Sequence, residues 1–345
     1  MIRFGIARRE QYRSEPRGFF EGLHALLTRH RISFQLLRTT AVHPSPEDVQ
    51  LFDRLMHLMR LSTGVKRSTY SGRFAEVDRS LNTLLAGRFP RDTALNVHDW
   101  AASDCITSAE WAAALFQIFP NSRLIASDLT LYIVEIQAPG GECFITERSG
   151  APLQYVRRPF VIRLNPPEPK TLLVNYLLCR SAHRKLERIG QQIGEASARL
   201  DSGAETVEIP PLVFSKISVI HPEATAFEKR DPRFSVMRHS VFEPLREPAD
   251  VIRSMNIFNR SYFTPERLTE GVRAVAGSLK PGGIWIVGRT ISKASLTHDI
   301  SVFENQASGF RLLERYGAGS EIEDLVSAVS SEPDTSRTAL HNSDT

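Results

Sequence analysis

Cysteine is scarce in this chain of 345 residues, which contains only three. Cys105, Cys143 and Cys179 lie far apart, and none belongs to a C-x-x-C pair. This pattern argues against structural zinc and against a disulfide-stapled fold, and it favours a reducing compartment.

Long apolar runs are missing as well. No stretch reaches 18 uninterrupted apolar residues, so we expect no membrane-spanning helix. The first residues, MIRFGIARREQYRSEPR, lack the apolar segment of a secretory signal peptide. We therefore expect a cytoplasmic protein.

Excess charge of one sign is small, with a net charge of +4. This balance predicts no nucleic-acid partner. Residues 1–40 are locally basic, with eight Arg against three Glu. A basic amphipathic start of this kind indicates either contact with an acidic partner or the solvated face of a packed helix, and the second interpretation is favoured.

Several catalytic signatures are also absent. The sequence has no G-x-S-x-G, H-E-x-x-H or G-x-x-x-x-G-K-[ST] motif, which removes support for a hydrolase, a zinc peptidase or a P-loop protein. A G-x-G-x-x-G fingerprint is missing too, which weakens a dinucleotide oxidoreductase. His98, His221 and His239 are candidate bases, but single histidines at strand ends are usually structural.

What is present is an ordinary globular composition, with 41% apolar and 24% charged residues. Apolar spacing predicts helices around residues 19–27, 51–61 and 74–85. We interpret residues 1–90 as an N-terminal helical region.

From residue 94 onward, apolar strands and helical segments alternate, which predicts an α/β domain over residues 91–330 with a parallel sheet. A capping box at residues 107–110 predicts a helix start, and one long helix is expected over 182–200. Thr264 and Pro265 predict the start of another helix, with Leu268, Val272, Val275 and Leu279 on its inward face. Residues 131–164 are interpreted as a small β insertion with a hairpin. An antiparallel strand pair is expected at 300–303 and 310–316. Residues 331–345 are expected to form a disordered tail. The expected strands are 95–100, 123–127, 217–220, 234–238, 251–255 and 284–287.

Four segments stand in the order and at the intervals of a known motif set. They are residues 96–105 (NVHDWAASDC), 124–129 (LIASDL), 250–258 (DVIRSMNIF) and 279–283 (LKPGG). Together they resemble the class I S-adenosylmethionine-dependent methyltransferases. Within that superfamily, residues 254–258 followed by Tyr262 and Phe263 most resemble the chemotaxis-receptor methyltransferases.

The resemblance implies a Rossmann-like sheet of seven strands and S-adenosylmethionine as cofactor. It also implies a set of cofactor-binding residues: Asp99, Ala101, Ser103, Asp128, Leu129, Ser240, Val241 and Asn256. It further implies that the methyl acceptor is bound beside four residues: Asn256, Arg260, Tyr262 and Phe263. No metal is expected, and no catalytic base is identified.

Two carboxylates leave alternatives open. Asp128, at the end of an apolar strand, is suited to accept two hydrogen bonds from a ribose diol, and the alternative is a helix-capping or exposed Asp. Asp99 is suited to orient the amino group of the cofactor, and the alternative is a buried Asp that bonds loop amides.

The loop after the first strand departs from the family pattern. Where the family has three glycines, this chain has Ala101, Ser103 and Cys105. Glycine allows positive φ, and a non-glycine residue there costs roughly 1–2 kcal/mol. Micromolar binding is worth about 8 kcal/mol, so we expect weakened rather than abolished cofactor binding.

The leading hypothesis is methyl transfer from S-adenosylmethionine to a protein or small-molecule acceptor. The alternative is a methyltransferase-fold protein that has lost catalysis and serves as a binding or regulatory module. The glycine-free loop, and Ser240 where many relatives have Asp, support that alternative.

Overall fold

The computed structural model describes residues 4–13, 23, 28, 31–38, 44–62, 67, 69–165, 173–292 and 296–331. The predicted disordered tail lies outside the described residues from residue 332 onward. Most of the apolar residues that predict the first helix, between residues 19 and 27, also lie outside them.

Nine α-helices occur within the described residues. They are α1 (Arg9–Arg13), α2 (Pro46–Leu58), α3 (Ala75–Arg88), α4 (Ile106–Ile118), α5 (Leu173–Arg188), α6 (Gly190–Asp201), α7 (Pro222–Arg230), α8 (Pro265–Ser278) and α9 (Glu323–Ser331). None of these helices is long and apolar enough to cross a membrane.

The described chain also contains thirteen strands. They are β1 (Asn96–Trp100), β2 (Arg123–Asp128), β3 (Tyr132–Ala138), β4 (Glu142–Thr146), β5 (Pro152–Arg157), β6 (Phe160–Arg163), β7 (Thr206–Ile209), β8 (Leu212–Ser218), β9 (Phe234–Arg238), β10 (Ala249–Met255), β11 (Leu279–Ser292), β12 (Thr297–Gln306) and β13 (Gly309–Tyr316).

The chain forms two compact units, each built from two segments. Unit 1 comprises Met1–Tyr70 and Thr130–Ala226, and unit 2 comprises Ser71–Leu129 and Phe227–Thr345. These boundaries differ from the predicted ones, which placed residues 1–90 together and treated 131–164 as a small insertion. The difference arises because strand pairing is non-local: β8 pairs with β3 and so extends the predicted insertion into a larger sheet.

Unit 1 contains a six-stranded antiparallel sheet in the order β6-β5-β4-β3-β8-β7. The predicted hairpin is present as β3 and β4, which pair between Val134 and Thr146. The long helix expected over 182–200 is two helices instead, since α5 ends and α6 begins on either side of Ile189. The apolar faces of both helices pack on the sheet, with Ala182, Leu186, Ile193 and Leu200 buried.

Unit 2 contains a seven-stranded sheet in the order β13-β12-β11-β10-β1-β2-β9. The five adjacent strands β11, β10, β1, β2 and β9 are parallel to one another, and β12 is antiparallel to both of its neighbours, β11 and β13. Helix α8 buries Leu268, Val272 and Val275, the face predicted from its spacing. The fold confirms the predicted Rossmann-like α/β class with seven strands.

One local prediction in unit 2 is wrong. Helix α4 begins at Ile106, so all four residues of the predicted capping box already lie within the helix. Its N-cap is Cys105, which makes no side-chain cap hydrogen bond. The hydroxyl of Ser108 bonds Asp99 instead.

Candidate functional site

The candidate site of unit 2 lies where its parallel strands end. The chain runs outward through β1, β2 and β9 on one side and through β10 and β11 on the other, so the order of the strands reverses between β1 and β10. In open parallel sheets, ligands bind beyond the carboxyl ends of the strands at this point of reversal. The loops after β1, β2, β9 and β10 all reach this edge.

The loop after β1 has an unusual backbone. Ala101, Ser103 and Cys105 have φ angles of 57°, 58° and 66°, all in the left-handed region. These are the three positions at which the resemblance expects glycine. Each left-handed residue with a side chain costs about 1–2 kcal/mol, and such conformations cluster at functional sites.

Backbone and side-chain hydrogen bonds from β2 hold this loop. Ser103 N donates to Asp128 Oδ2 at 2.9 Å, and Ala102 N donates to the carbonyl oxygen of Ser127 at 2.9 Å. The carboxylate predicted to bind ribose therefore touches the loop predicted to cradle the cofactor.

Asp99 is almost completely buried, and both of its carboxylate oxygens have partners within the protein. Arg253 Nε donates to Oδ1 at 3.0 Å, and Arg253 Nη2 donates to Oδ2 at 2.5 Å. Ser108 Oγ also donates to Oδ2, at 2.5 Å. This environment is that of a buried, fully partnered Asp, and cofactor contact by Asp99 remains a prediction.

Arg253 has no solvent exposure, and a second carboxylate, that of Asp78 on α3, also binds it. Its guanidinium lies 4.2 Å from the ring centroid of Trp111 and 5.5 Å from that of Phe74. Burial raises the pKa of Asp78 to about 7, although Arg253 opposes this shift. The three charged groups form one buried cluster that joins the end of β1, before the loop, to the first turn of α4, after it.

The segment after β9 forms another wall of the site. The His239 ring lies 4.8 Å from the Trp100 ring, and Val241 is buried in the same core. Ser240 Oγ accepts a hydrogen bond from Phe242 N at 3.4 Å. Burial lowers the pKa of His239, and burial together with repulsion from His239 lowers the pKa of His98 to about 4.

On the β10 side, Asn256 has a φ angle of 62°. Its N–H donates to the carbonyl oxygen of Gly288 and its Oδ1 accepts from Thr290 N, each at 2.7 Å. Asn256 thus connects the ends of β10 and β11, and one of its amide atoms is already used.

The remaining acceptor-side residues divide into two groups. The Phe263 ring packs edge-on against Phe242 at 5.1 Å, which brings the loops after β9 and β10 together, and Tyr262 is 47% exposed beside it. Arg260, in contrast, donates to Asp324 of α9 at 2.6 Å. Leu129, predicted on the cofactor side, is 56% exposed at the end of β2.

Sequence reasoning missed Arg253 and Asp78. The available signal was a charged residue in the centre of an apolar strand, since a buried arginine requires a partner. Its partner on α3 is 175 residues away along the chain, so no local pattern identifies it. Within the described residues, no group of three or more His, Cys, Asp or Glu side chains is arranged to hold a metal ion.

No protein-family model and no curated protein matches this sequence. Among solved structures, the chain is similar to the sugar N-methyltransferase KedS8 from Streptoalloteichus sp. ATCC 53650, with 12% identity, a TM-score of 0.31, and coverage of 84% of this chain and 86% of that one.

Two further similar structures are an O-methyltransferase family protein from Burkholderia thailandensis and PKMT2 from Rickettsia typhi, the latter in complex with AdoHcy. The first has 12% identity and a TM-score of 0.26, covering 64% of this chain and 40% of that one. The second has 11% identity and a TM-score of 0.25, covering 58% and 22%. The chain therefore spans less than half the length of either protein.

Proposed function

We propose that this protein transfers a methyl group from S-adenosylmethionine to a nucleophilic atom of a protein or small-molecule acceptor. The observation that carries the proposal is the backbone of residues 101–105. It has left-handed geometry at all three positions where the resemblance expects glycine, at the strand-order reversal of a Rossmann-like sheet. Three costly backbone conformations at a ligand-binding edge favour a retained site over an eroded one.

The residues at this edge suit the proposed cofactor. Ala101, Ser103 and Cys105 all have small side chains, so they leave room for close approach to the loop. Asp128, at the end of β2, supplies a carboxylate for the ribose diol. In this proposal Leu129 and Val241 flank the adenine, and the Ser240 hydroxyl contacts its polar edge.

The bound cofactor supplies a methyl group on a sulfonium, which is transferred by in-line displacement. The protein's contribution is then mainly alignment. Asn256 keeps an amide nitrogen that makes no hydrogen bond within the described part of the chain, and it can orient an acceptor. Tyr262 and Phe263 offer apolar surface, and an acceptor that is a carboxylate or a neutral amine needs no dedicated base.

The rival function is a methyltransferase-fold module that binds a ligand or partner without catalysis. One observation favours it: both oxygens of Asp99 and Oδ1 of Asn256 already bond other parts of the protein. A pocket that uses these atoms internally offers the cofactor fewer contacts.

Calorimetric titration with S-adenosylmethionine and S-adenosylhomocysteine tests the proposal. We expect saturable binding at micromolar concentration. We expect Asp128→Asn to weaken it about tenfold or more, because the amide keeps an acceptor for Ser103 N but lacks the second acceptor oxygen for the diol.

Asp250→Asn is the matched control. Asp250 Oδ2 also accepts from a backbone amide, Asn96 N at 2.7 Å, but it lies where β1 and β10 begin, at the opposite edge of the sheet. If the two substitutions change cofactor affinity equally, Asp128 does not contact the cofactor. No binding up to millimolar concentration would favour the rival function.

Several finer points remain predictions within this proposal. They are the likeness to chemotaxis-receptor methyltransferases, the cytoplasmic setting and an acidic partner for the basic N-terminal residues.

A further inference from the structure

The loop of residues 101–105 needs an external source of stability. Its three left-handed residues together cost several kcal/mol relative to glycine, and an isolated loop would relax out of this shape. Its hydrogen bonds to β2 hold Ala102 and Ser103, in the first half of the loop. Backbone bonds also hold its last residue, since Cys105 N donates to the carbonyl oxygen of Ala102 at 2.9 Å and the Cys105 carbonyl oxygen accepts from Ala109 N at 3.0 Å. The position of the loop between β1 and α4 is fixed by side chains.

One guanidinium reaches both ends of the loop. Before the loop, Arg253 binds both carboxylate oxygens of Asp99. After the loop, Arg253 Nη2 donates to the carbonyl oxygen of Thr107 at 3.4 Å, and Asp99 Oδ2 accepts from Ser108 Oγ at 2.5 Å. Arg253, Asp99 and Ser108 thus connect the end of β1 to the first turn of α4.

This connection is rigidly anchored. Arg253 lies on β10 without solvent exposure, and Asp78 of α3 fixes another of its nitrogens. The Trp111 ring lies against the guanidinium, and Trp111 Nε1 donates to Asn82 Oδ1 at 3.0 Å. A planar guanidinium whose three nitrogens all donate hydrogen bonds in this buried setting has little freedom to move.

We propose that Arg253 is a positioning residue, which with Asp99 and Ser108 forms a clamp that holds residues 101–105 in the cofactor-binding shape without glycine. The inference rests on the proposed function for its consequence, cofactor affinity. It assigns Arg253 no contact with the cofactor or the acceptor.

A double-mutant cycle tests the clamp. Arg253→Lys keeps the positive charge but loses the planar set of donors that bonds Asp99 and Thr107 together. We expect it to weaken S-adenosylhomocysteine binding by about tenfold or more, the equivalent of one left-handed residue. Adding Ala101→Gly, Ser103→Gly and Cys105→Gly to this variant should recover most of the loss, because glycine adopts the shape unaided.

A merely structural role for Arg253 predicts no recovery, since none of the three glycine positions is bonded to Arg253. Unchanged affinity in Arg253→Lys, or a loss that the glycines do not repair, would overturn the clamp. Should Arg253→Lys fail to fold, Ser108→Ala provides the same cycle with one bond removed. Ser278→Ala is its control, because Ser278 is equally buried in unit 2 and bonds Ala274 O away from the loop.

The cycle contains four proteins: the wild type, Arg253→Lys, the variant with the three glycine substitutions, and the variant that combines them with Arg253→Lys. Their free energies of unfolding give a readout that does not depend on the cofactor. With the clamp intact, the three glycines should stabilise the protein by relieving strain. With the clamp broken, the loop has relaxed and the gain should shrink. If the wild-type protein binds neither S-adenosylmethionine nor S-adenosylhomocysteine, the proposed function fails. The clamp is then tested by the free energies of unfolding alone: non-additive effects of Arg253→Lys and of the three glycines support it, and additive effects overturn it.

Discussion

The two compact units differ in where their backbone is strained. Five non-glycine residues in the described chain have positive φ, and all five belong to unit 2: Ala101, Ser103, Cys105, Asn256 and Leu296. In the described part of unit 1, every residue with positive φ is a glycine: Gly140, Gly141, Gly150 and Gly203.

The strained residues follow β1, β10 and β11, so they occupy the edge at which a parallel sheet binds ligands. Unit 1 has a buried carboxylate too, since Glu135 on β3 accepts from Gln35 Nε2 at 2.5 Å and pairs with Arg38. That cluster secures an N-terminal segment to the sheet and fixes no strained loop. A buried charged cluster alone therefore does not distinguish the candidate site. What distinguishes it is a buried charged cluster that is bonded to both ends of a strained loop.

The largest expected effect comes from removing the charge that is bonded to both ends of this loop. Arg253→Met leaves two buried carboxylates without their cation, and we expect the free energy of unfolding to fall by about 3–5 kcal/mol. Urea denaturation at neutral pH measures this change.

The matched control is Arg260→Met, which also breaks an arginine–carboxylate pair in unit 2. Because Arg260 and Asp324 are exposed, we expect a loss below about 1 kcal/mol. Similar losses in the two variants would remove the distinction between the buried cluster and an ordinary surface pair.

A smaller effect should appear in the pH dependence of stability. The pKa of Asp78 is raised by burial from 3.8 to about 7, so folding favours its protonated form. Its contribution to stability is present below pH 4 and is lost as the pH rises through 7, at no more than about 1.4 kcal/mol per pH unit.

Asp78→Asn imitates the protonated group and should remove this dependence. Unfolding free energies of the wild type and the variant, compared at pH 5 and pH 8, isolate it from other titrating groups. Relative to wild type, the variant should gain stability at the higher pH. The charged groups that act on Asp78 are Arg253, Asp99 and Glu110. If the variant and the wild type differ in free energy of unfolding by the same amount at both pH values, the pKa of Asp78 is not raised in the folded protein.

The smallest effects concern single turns in each unit and should have opposite signs. Leu296→Gly in unit 2 relieves a left-handed residue with φ of 50°, and we expect a gain below about 1 kcal/mol. Gly203→Ala in unit 1, where φ is 112° and nothing lies within 4 Å of an added Cβ, should cost about 1 kcal/mol or more through the backbone alone. Thermal unfolding measures both, and equal signs would contradict the contrast between the units.

Local sequence patterns predicted much of unit 2. Strand β9 lies where predicted, β1 and β2 differ by one residue at one end, and the apolar face of α8 is buried as expected. These features are decided by spacing within a few residues. The resemblance also located the three left-handed positions, because family glycines report backbone shape rather than side-chain chemistry.

Pairings distant along the chain were not predictable in this way. The capping box at residues 107–110 satisfies the local rule, yet the Ser108 hydroxyl bonds Asp99, a buried acceptor supplied by another element. The unit boundaries depend on β8 pairing with β3, which no local signal specifies. Asp99 followed the family pattern in sequence, but its surroundings are set by Arg253, which lies 154 residues away along the chain.

The separation of Arg253 from Asp99 by 154 residues has a consequence for synthesis of the protein. At 5–20 residues per second, roughly 8–30 s pass on the ribosome between these two residues. During that interval β1 has neither its β10 neighbour nor the arginine that bonds both ends of its loop. The loop can therefore acquire its final shape only after the whole of unit 1, which ends at Ala226, has been synthesised, so the candidate site is completed late in synthesis of the protein.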